Sequence, residues 1–245
     1  MLAALPHRWC ETHDGAVYSF EGDCEGSHAH RRIIRIEDAR PLAAKQCAAR
    51  IPAQYQDAGL VTWNAERANP GARQIVEDYL GDPRRSIYVH GAVGTGKTWV
   101  ACTIANELLQ RGESVKFQSA ARFFLELRRS FTADDFSELD ILEPHLAVGW
   151  LVLDDTGDVG VDRHPAATCF VTSRLLELLG CRYAEGKATI ITSNLSLTAL
   201  LEWSRDERVP SRVRGMCGES GIIELGGRDL RFDREAVDRE VEAVP

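Results

Sequence analysis

Residues 86–98 read SIYVHGAVGTGKT and are followed at 99–110 by WVACTIANELLQ. The first five residues are rich in β-branched and aromatic types, which predicts a strand. Residues 91–98 then fit the pattern G-x-x-x-x-G-K-[ST] at every fixed position. The segment after them has apolar residues at core spacing, which predicts a helix. The sequence therefore predicts a strand, a glycine-rich turn and a helix in direct succession.

The residue types of this turn suit the binding of phosphate groups. Gly91, Gly94 and Gly96 permit positive φ, so successive amides can converge on an anion. Lys97 supplies a charge for β- and γ-phosphates, and the Thr98 hydroxyl is a ligand for Mg²⁺. A glycine-rich turn without a ligand is the alternative, but the flanking strand and helix favour a nucleoside triphosphate site. The predicted nucleotide-binding residues are Gly91, Ala92, Val93, Gly94, Thr95, Gly96, Lys97 and Thr98.

A second candidate segment is WLVLDD at 150–155, an apolar run that ends in two carboxylates. Ligands of parallel α/β sheets bind at the carboxyl ends of the strands, where these acids would lie. We expect Asp154 to hold Mg²⁺, directly or through water, and Asp155 to polarise the attacking water. The alternative is an ordinary turn, since Asp-Asp before Thr-Gly is common turn chemistry. The phosphate-binding pattern earlier in the chain favours the functional interpretation.

The segment ATIITS at 188–193 predicts another buried strand, and Asn194 follows it. Asn194 can both donate and accept hydrogen bonds, so it could hold the lytic water or contact the γ-phosphate. The competing role is a cap for the helix predicted over Ser196–Trp203.

Composition limits the classes of partner. The chain has 245 residues, with 29 Lys+Arg against 37 Asp+Glu and a net charge of −8. Any contact with nucleic acid must therefore use a local patch or an oligomer surface. No apolar run approaches the length of a membrane span, and the apolar start of the chain is too short for a signal peptide. We expect a cytoplasmic protein without a membrane partner, in which the seven cysteines are thiols or metal ligands.

Residues 1–50 differ in character from the rest. Cys10 and His13 have C-x₂-H spacing, and Cys24 and His28 have C-x₃-H spacing, with glycines and aromatics between the pairs as in a small hairpin. Four such ligands could close a zinc site. A polar arm whose His and Cys residues merely lie near one another is the alternative. Ile51-Pro52 ends the helix predicted before it, which suggests domains at 1–50 and 51–245.

Several short motifs, taken in their order along the chain, indicate which protein family this sequence resembles. They are Ile51-Pro52-Ala53-Gln54-Tyr55, the glycine loop, Leu153-Asp154-Asp155, Thr192-Ser193-Asn194, Ser211-Arg212-Val213 and Asp229-Leu230-Arg231. Over about residues 50–231 the chain resembles the AAA+ ATPases of the DnaC/DnaI helicase-loader and IstB group. The resemblance implies an α/β P-loop NTPase fold, with a three-layer core around a central parallel sheet. We expect no helical lid, because the segment after Asn194 is short.

The resemblance also implies residues that act between subunits. ATP would lie at the interface of a homo-oligomer, with Arg212 as the arginine finger that reaches the γ-phosphate held by a neighbour. Arg208, one helical turn earlier, could assist it, and Arg231 would lie near the nucleotide. A solvated surface arginine is the alternative at each position.

The function implied first is that of a replicative helicase loader. Its segment 1–50 would bind the helicase, and its ATPase core would assemble on single-stranded DNA. Asp155, where many AAA+ proteins have Glu, predicts slow, switch-like ATP hydrolysis. The second interpretation is an IstB-like transposition regulator that binds duplex DNA. A third, a small-molecule kinase, needs a lid and a substrate-binding insert that the sequence does not show.

Overall fold

The computed structural model describes residues 8–11, 17–20, 34–60, 62, 70–131, 137–158, 165–227 and 229. The strands are β1 (Arg8–Glu11), β2 (Val17–Phe20), β3 (Ile34–Arg35), β4 (Ile87–Gly91), β5 (Val115–Ser119), β6 (Trp150–Asp154), β7 (Ala188–Ser193) and β8 (Ile222–Leu225). The helices are α1 (Ile36–Ala48), α2 (Pro70–Gly81), α3 (Lys97–Gln110), α4 (Ala120–Ser130), α5 (Glu138–Ala147), α6 (Pro165–Ala184), α7 (Leu197–Ser204) and α8 (Arg208–Cys217). Short 3-10 turns cover Ala53–Tyr55 and Thr156–Asp158.

The main sheet is parallel and has five strands in the order β5-β6-β7-β4-β8. Tyr88 of β4 is paired with Ile191 of β7, and Leu153 of β6 is also paired with Ile191. All five strands therefore end at the same edge, where parallel sheets bind ligands. This architecture confirms the predicted α/β fold with a central parallel sheet.

Apolar cores cover both faces of the sheet, which gives three layers. Ile87 and Val89 pack towards α1, α2 and α3, whereas Tyr88 between them packs towards the opposite face. That second core includes residues from α4 to α8. Because side chains alternate across a strand, a strand buried on both faces has a continuous apolar sequence. The apolar runs in β4, β6 and β7 follow from this requirement.

The end of α1 packs against the sheet domain. Ala49 and Ile51 are buried in the core that covers α3, and Nε2 of Gln46 donates to Oδ1 of Asn106 at 3.0 Å. The backbone N–H of Phe117 donates to the carbonyl of Ala49 at 2.7 Å. The helix does end before Pro52, as predicted, but the packing continues across the division suggested at residue 50. The division into 1–50 and 51–245 stays a proposal.

In the N-terminal segment, β1 and β2 form an antiparallel hairpin in which Cys10 is paired with Tyr18. The hairpin agrees with the predicted one. His13, Cys24 and His28 lie outside the described residues, so the zinc site stays a prediction. The described part of the chain contains no group of three or more potential metal ligands. None of its helices is long and apolar enough to cross a membrane.

Helix α5 was not predicted from the sequence. In α5, the Ser137 side chain accepts from the Asp140 backbone and the Asp140 carboxylate accepts from the Ser137 N–H, which is a complete capping box. Pro144 lies inside the helix, where a proline normally argues against one. The predicted absence of a helical lid concerns the segment after Asn194, part of which lies outside the described residues, and it also stays a prediction.

Candidate functional site

The turn between β4 and α3 contains three glycines with positive φ. These are Gly91 at 148°, Gly94 at 79° and Gly96 at 90°. Gly96 caps α3, so the helix begins directly at the loop with Lys97. Other residues rarely adopt these conformations, which explains the glycines. The loop therefore has the backbone shape that turns amide groups towards an anion, and the helix N-terminus adds its positive end.

Lys97 lies inside this loop with 5% of its surface exposed. Its Nζ donates to the carbonyls of Gly91 at 3.0 Å and Ala92 at 2.7 Å. The Thr95 hydroxyl donates to the Ala92 carbonyl at 2.9 Å and braces the same turn. The ammonium group is thus held within the glycine loop, where a phosphate could take over part of its hydrogen bonding.

Thr98 and Asp154 meet across the start of α3 and the end of β6. The Thr98 hydroxyl donates to Oδ1 of Asp154 at 3.0 Å and lies 3.3 Å from Oδ2. Hydroxyl and carboxylate oxygens are the ligands that Mg²⁺ prefers, and it usually takes one or two carboxylates together with substrate phosphates. The two side chains therefore fit the metal that accompanies a nucleotide.

The electrostatics of Asp154 fit the same role. Its exposed fraction is 8%. Burial raises the pKa of its carboxyl to about 6, and the nearby charge of Asp155 also raises it. Hydrogen bonds from Thr192 and Thr98 and the charge of Lys97 lower this pKa in part. A bound cation would favour the ionised carboxylate and remove most of this disadvantage.

Asp155 follows β6 with φ at 56°, a left-handed conformation that is uncommon for a residue other than glycine. Its backbone N–H donates to Oγ1 of Thr192 at 2.9 Å. Its side chain is partly exposed and makes no hydrogen bond to any described residue. The carboxylate is thus open to a ligand beside Asp154.

Asn194 lies directly after β7 at the same edge of the sheet. Its partly exposed side chain has no hydrogen-bond partner among the described residues. The cap of α7 is Ser196, whose hydroxyl accepts from the Ala199 N–H at 3.2 Å. The competing role of Asn194 as a helix cap is therefore taken by Ser196.

Two predicted arginines lie elsewhere on the subunit. Arg208 and Arg212 of α8 line a groove of about 300 Å³, called here the α6–α8 groove, together with Ser211 and Gly215 of α8 and Leu176 and Tyr183 of α6. The guanidinium of Arg212 lies 5.5 Å from the centre of the Tyr183 ring, and Arg208 is paired with Asp206 at 2.6 Å. No residue of the glycine loop lines this groove, so these arginines do not join their own subunit's site. Arg231 lies outside the described residues.

Sequence reasoning did not assign a role to two residues of the site. Thr192 is fully buried and bonds both Asp154 and Asp155. The available signal was the pair of hydroxyl residues, Thr192 and Ser193, at the carboxyl end of a buried strand. Asp229 lies against Gly94 so closely that a Cβ there would be 1.8 Å from Oδ1 of Asp229. No local pattern predicts that contact, because the two residues are far apart in the sequence.

Comparisons with known proteins place these features in a family. A model of the family described as IstB-like ATP binding protein matches residues 77–232. The replicative helicase loader DnaC of Escherichia coli (strain K12) is 37% identical over 86 residues, which are 35% of each chain. A protein of Mycobacterium tuberculosis (strain H37Rv), named for ATP binding and for its place in an insertion sequence, is 29% identical over 200 residues, or 79% of this chain and 73% of that one.

Solved structures share the fold. The DnaC helicase loader has a TM-score of 0.57 at 20% identity, over 71% of this chain and 99% of that one. DnaI has a TM-score of 0.55 at 24% identity, over 73% and 93%. AMPPCP-bound DnaA from Aquifex aeolicus has a TM-score of 0.56 at 21% identity, over 74% and 55%. At these identities the likeness shows an AAA+ P-loop fold.

The matched segment spans only about a third of the curated DnaC chain, so the likeness to DnaC concerns that segment. The family match is broader. It covers well over half of this chain and includes the glycine loop, Asp154, Asp155 and Asn194. The protein therefore belongs to the IstB-like ATP binding protein family.

Proposed function

We propose that this chain is a Mg²⁺-dependent ATPase whose nucleotide state controls its assembly. Residues 91–98 bind the phosphates, and Lys97 directs its charge to the β- and γ-phosphates. Thr98 and Asp154 hold the metal, which neutralises phosphate charge when it is bound. Asp155 polarises the attacking water, and Asn194 positions that water or contacts the γ-phosphate. The hydrogen bond between Thr98 and Asp154 is the observation that carries this proposal.

The experiment for ATP binding uses two lysine variants. We expect Lys97→Ala to abolish ATP uptake measured by calorimetry at millimolar Mg²⁺. Lys116→Ala is the matched control, because Lys116 is a partly exposed lysine on β5 and lies outside the site. Wild-type protein that takes up no ATP under these conditions would refute the ATPase proposal.

The glycine loop and Arg212 lie apart on the same subunit, and this separation supports an oligomeric ATPase. Arg212 lies on the α6–α8 groove, away from its own glycine loop, and its side chain is exposed. We place it as the arginine finger for a neighbouring subunit, where a guanidinium would neutralise charge developing on the γ-phosphoryl group. We expect Arg208 to assist from the preceding helical turn, and the resemblance of Asp229-Leu230-Arg231 to a family motif assigns Arg231 a role near the nucleotide.

For the cellular role, we place the chain first among replicative helicase loaders. The 37% identity to DnaC over 86 residues supports this assignment. Residues 1–50 bind a replicative helicase in the cytoplasm, and the ATPase core 51–245 assembles on single-stranded DNA. ATP hydrolysis then releases the loader. We expect turnover to be slow, because the Asp155 carboxylate is one methylene shorter than the glutamate common in AAA+ ATPases.

A second role has its own support. The family model is IstB-like, and the insertion-sequence relative of Mycobacterium tuberculosis aligns over 79% of this chain. In this alternative the protein forms ATP-dependent assemblies on duplex DNA and regulates transposition.

One comparison separates the two roles. The purified chain is mixed with ATP and the replicative helicase of its host, and the mass of the complex is measured. A stable complex that Lys97→Ala disrupts or locks, and that Lys116→Ala leaves unchanged, would support a loader. ATP-dependent filaments on duplex DNA without helicase, seen by electron microscopy, would support the transposition regulator. Failure to bind the helicase would contradict the loader role.

A further inference from the structure

A single hydroxyl group joins the two carboxylate residues at the end of β6. Oγ1 of Thr192 lies 2.6 Å from Oδ1 of Asp154 and 2.9 Å from the backbone nitrogen of Asp155. Thr192 is on β7, the middle strand of the sheet, and none of its surface is exposed. The link therefore connects the centre of the sheet with the acidic end of the neighbouring strand.

The directions of these two hydrogen bonds are fixed by chemistry. The Asp155 backbone N–H can only donate, so the Thr192 oxygen must accept from it. The one proton of the hydroxyl then remains for the Asp154 carboxylate. Thr192 thus holds one oxygen of Asp154 and at the same time holds the backbone of Asp155.

The backbone bond acts at a strained residue. Asp155 has φ at 56°, a strained conformation for a non-glycine residue that persists only where its surroundings impose it. The hydrogen bond from Asp155 to Thr192 is one of the contacts that hold this turn. The conformation of this turn determines where the Asp155 side chain lies relative to the Asp154 side chain.

We propose that Thr192 is a positioning residue, which sets Asp154 and Asp155 relative to each other for ATP hydrolysis. This inference rests on the ATPase function proposed above. Thr192 has no exposed surface in the subunit. It acts through the orientation of one carboxylate and the backbone of the other, and its place on a central strand gives both a rigid support.

A purely structural role makes a different prediction. If Thr192 only fills the core, then valine, which has nearly the same shape, should replace it without loss of activity. Serine, which keeps the hydroxyl and loses the methyl group, should then be the worse variant. If Thr192 positions the carboxylates, the order is reversed.

The experiment compares Thr192→Val, Thr192→Ser and the control Thr103→Val. Thr103 is also fully buried, but its hydroxyl has no partner among the described residues. We expect Thr192→Val to lower kcat by about 10- to 100-fold, with KM for ATP changed far less. Thr192→Ser should stay within about threefold of wild type, and Thr103→Val should leave kcat unchanged. If Thr192→Val does not fold, Thr192→Ala against Thr192→Ser gives the same comparison.

A second measurement does not depend on turnover. Amide hydrogen exchange of Asp155, followed by NMR, should be protected in wild type, Thr192→Ser and Thr103→Val, and should accelerate in Thr192→Val. Full kcat in Thr192→Val, or an equal loss in the valine and serine variants, would overturn the inference while the ATPase stands. Wild-type protein without ATP hydrolysis would instead overturn the proposed function.

Discussion

The carboxylate of Asp229 lies against Gly94, and a methyl group on Gly94 would stand 1.8 Å from Oδ1 of Asp229. The chain beyond β8 therefore returns to the glycine loop. Gly94 is constrained twice, by this contact and by its φ of 79°. The Asp229 side chain can turn away, whereas the backbone conformation remains strained for any other residue.

The first prediction concerns Gly94→Ala. We expect ATP affinity to fall about 5- to 30-fold, because an alanine at this φ costs about 1–2 kcal/mol and the loop changes shape to relieve it. Gly180→Ala is the control, since Gly180 lies inside α6 with nothing within 4 Å of an added Cβ. Calorimetry with ATP and Mg²⁺ measures the ATP affinity of both variants. Equal affinities in the two variants would show that the loop tolerates a side chain at this position.

The second prediction concerns the charge of Asp154. Burial raises the pKa of this carboxyl from 3.8 to about 6, so the folded protein binds the proton more tightly than the unfolded chain. The ionised carboxylate therefore costs stability. This cost is absent below about pH 4, grows between about pH 4 and pH 6, and is constant at higher pH. At pH 7 it is about 3 kcal/mol.

Asp154→Asn removes this cost while keeping the shape of the side chain. Without nucleotide, the free energy of unfolding at pH 7 should rise by about 3 kcal/mol relative to wild type, and the difference should vanish near pH 4. Stabilisation by ATP and Mg²⁺ should be lost at the same time. Urea titrations at several pH values measure the difference. A constant difference across this pH range would refute the titration of Asp154 in the fold.

The third prediction concerns Arg182, which is fully buried on α6. Its guanidinium donates to the carbonyls of His145 (2.7 Å), Val148 (2.9 Å), Gly149 (3.0 Å) and Ala188 (2.5 Å) and to Oγ1 of Thr189 (3.0 Å). Arg182→Met leaves buried carbonyls unpaired at the starts of β6 and β7. We expect the free energy of unfolding to fall by about 3 kcal/mol or more.

Arg122→Met is the control for Arg182→Met. Arg122 forms an exposed pair with Glu126 on α4, and its loss should cost less than about 1 kcal/mol. Urea denaturation measures both variants. Similar losses in the two would mean that the buried carbonyls find other partners.

The fourth prediction concerns the arginine finger. Arg212→Ala should leave ATP binding by the isolated subunit intact, since Arg212 lies on the α6–α8 groove. Hydrolysis in the assembled state should fall about a thousandfold, because the γ-phosphoryl charge loses its partner. Arg214→Ala, on the same helix but outside the groove, is the control. Equal hydrolysis in Arg212→Ala and wild-type assemblies would reject the assignment.

The fifth prediction concerns the N-terminal segment. Purified protein should contain about one zinc per chain, held by Cys10, His13, Cys24 and His28. Cys10→Ser should lose the metal. Cys181→Ser, which changes an exposed free cysteine on α6, should keep it. Elemental analysis decides the matter, and wild-type protein without zinc would contradict the prediction.

Local chemistry made much of the site predictable. The strand predicted at 86–90 is present at Ile87–Gly91, and the apolar run at 150–155 forms the strand Trp150–Asp154, with the two acids at its carboxyl end as expected. Strands that are buried on both faces need continuous apolar residues, so their sequences identify them without tertiary information. Helix α5 was not predicted because Pro144 lies within it, and a proline normally argues against a helix. The capping-box residue types at Ser137 and Asp140 were nevertheless present in the sequence.

The sequence by itself determined the glycine loop and the acidic end of β6, because each depends on residue types at fixed local spacing, and its motifs indicated the α/β fold through their resemblance to a family. Only the tertiary structure decided that Thr192 joins Asp154 to Asp155, that Ser196 rather than Asn194 caps α7, and that Asp229 lies against Gly94. These contacts depend on strand order, register and the path of the chain. A hydrogen bond between neighbouring strands, or a contact across the loop, leaves no periodic signal in the residues that make it.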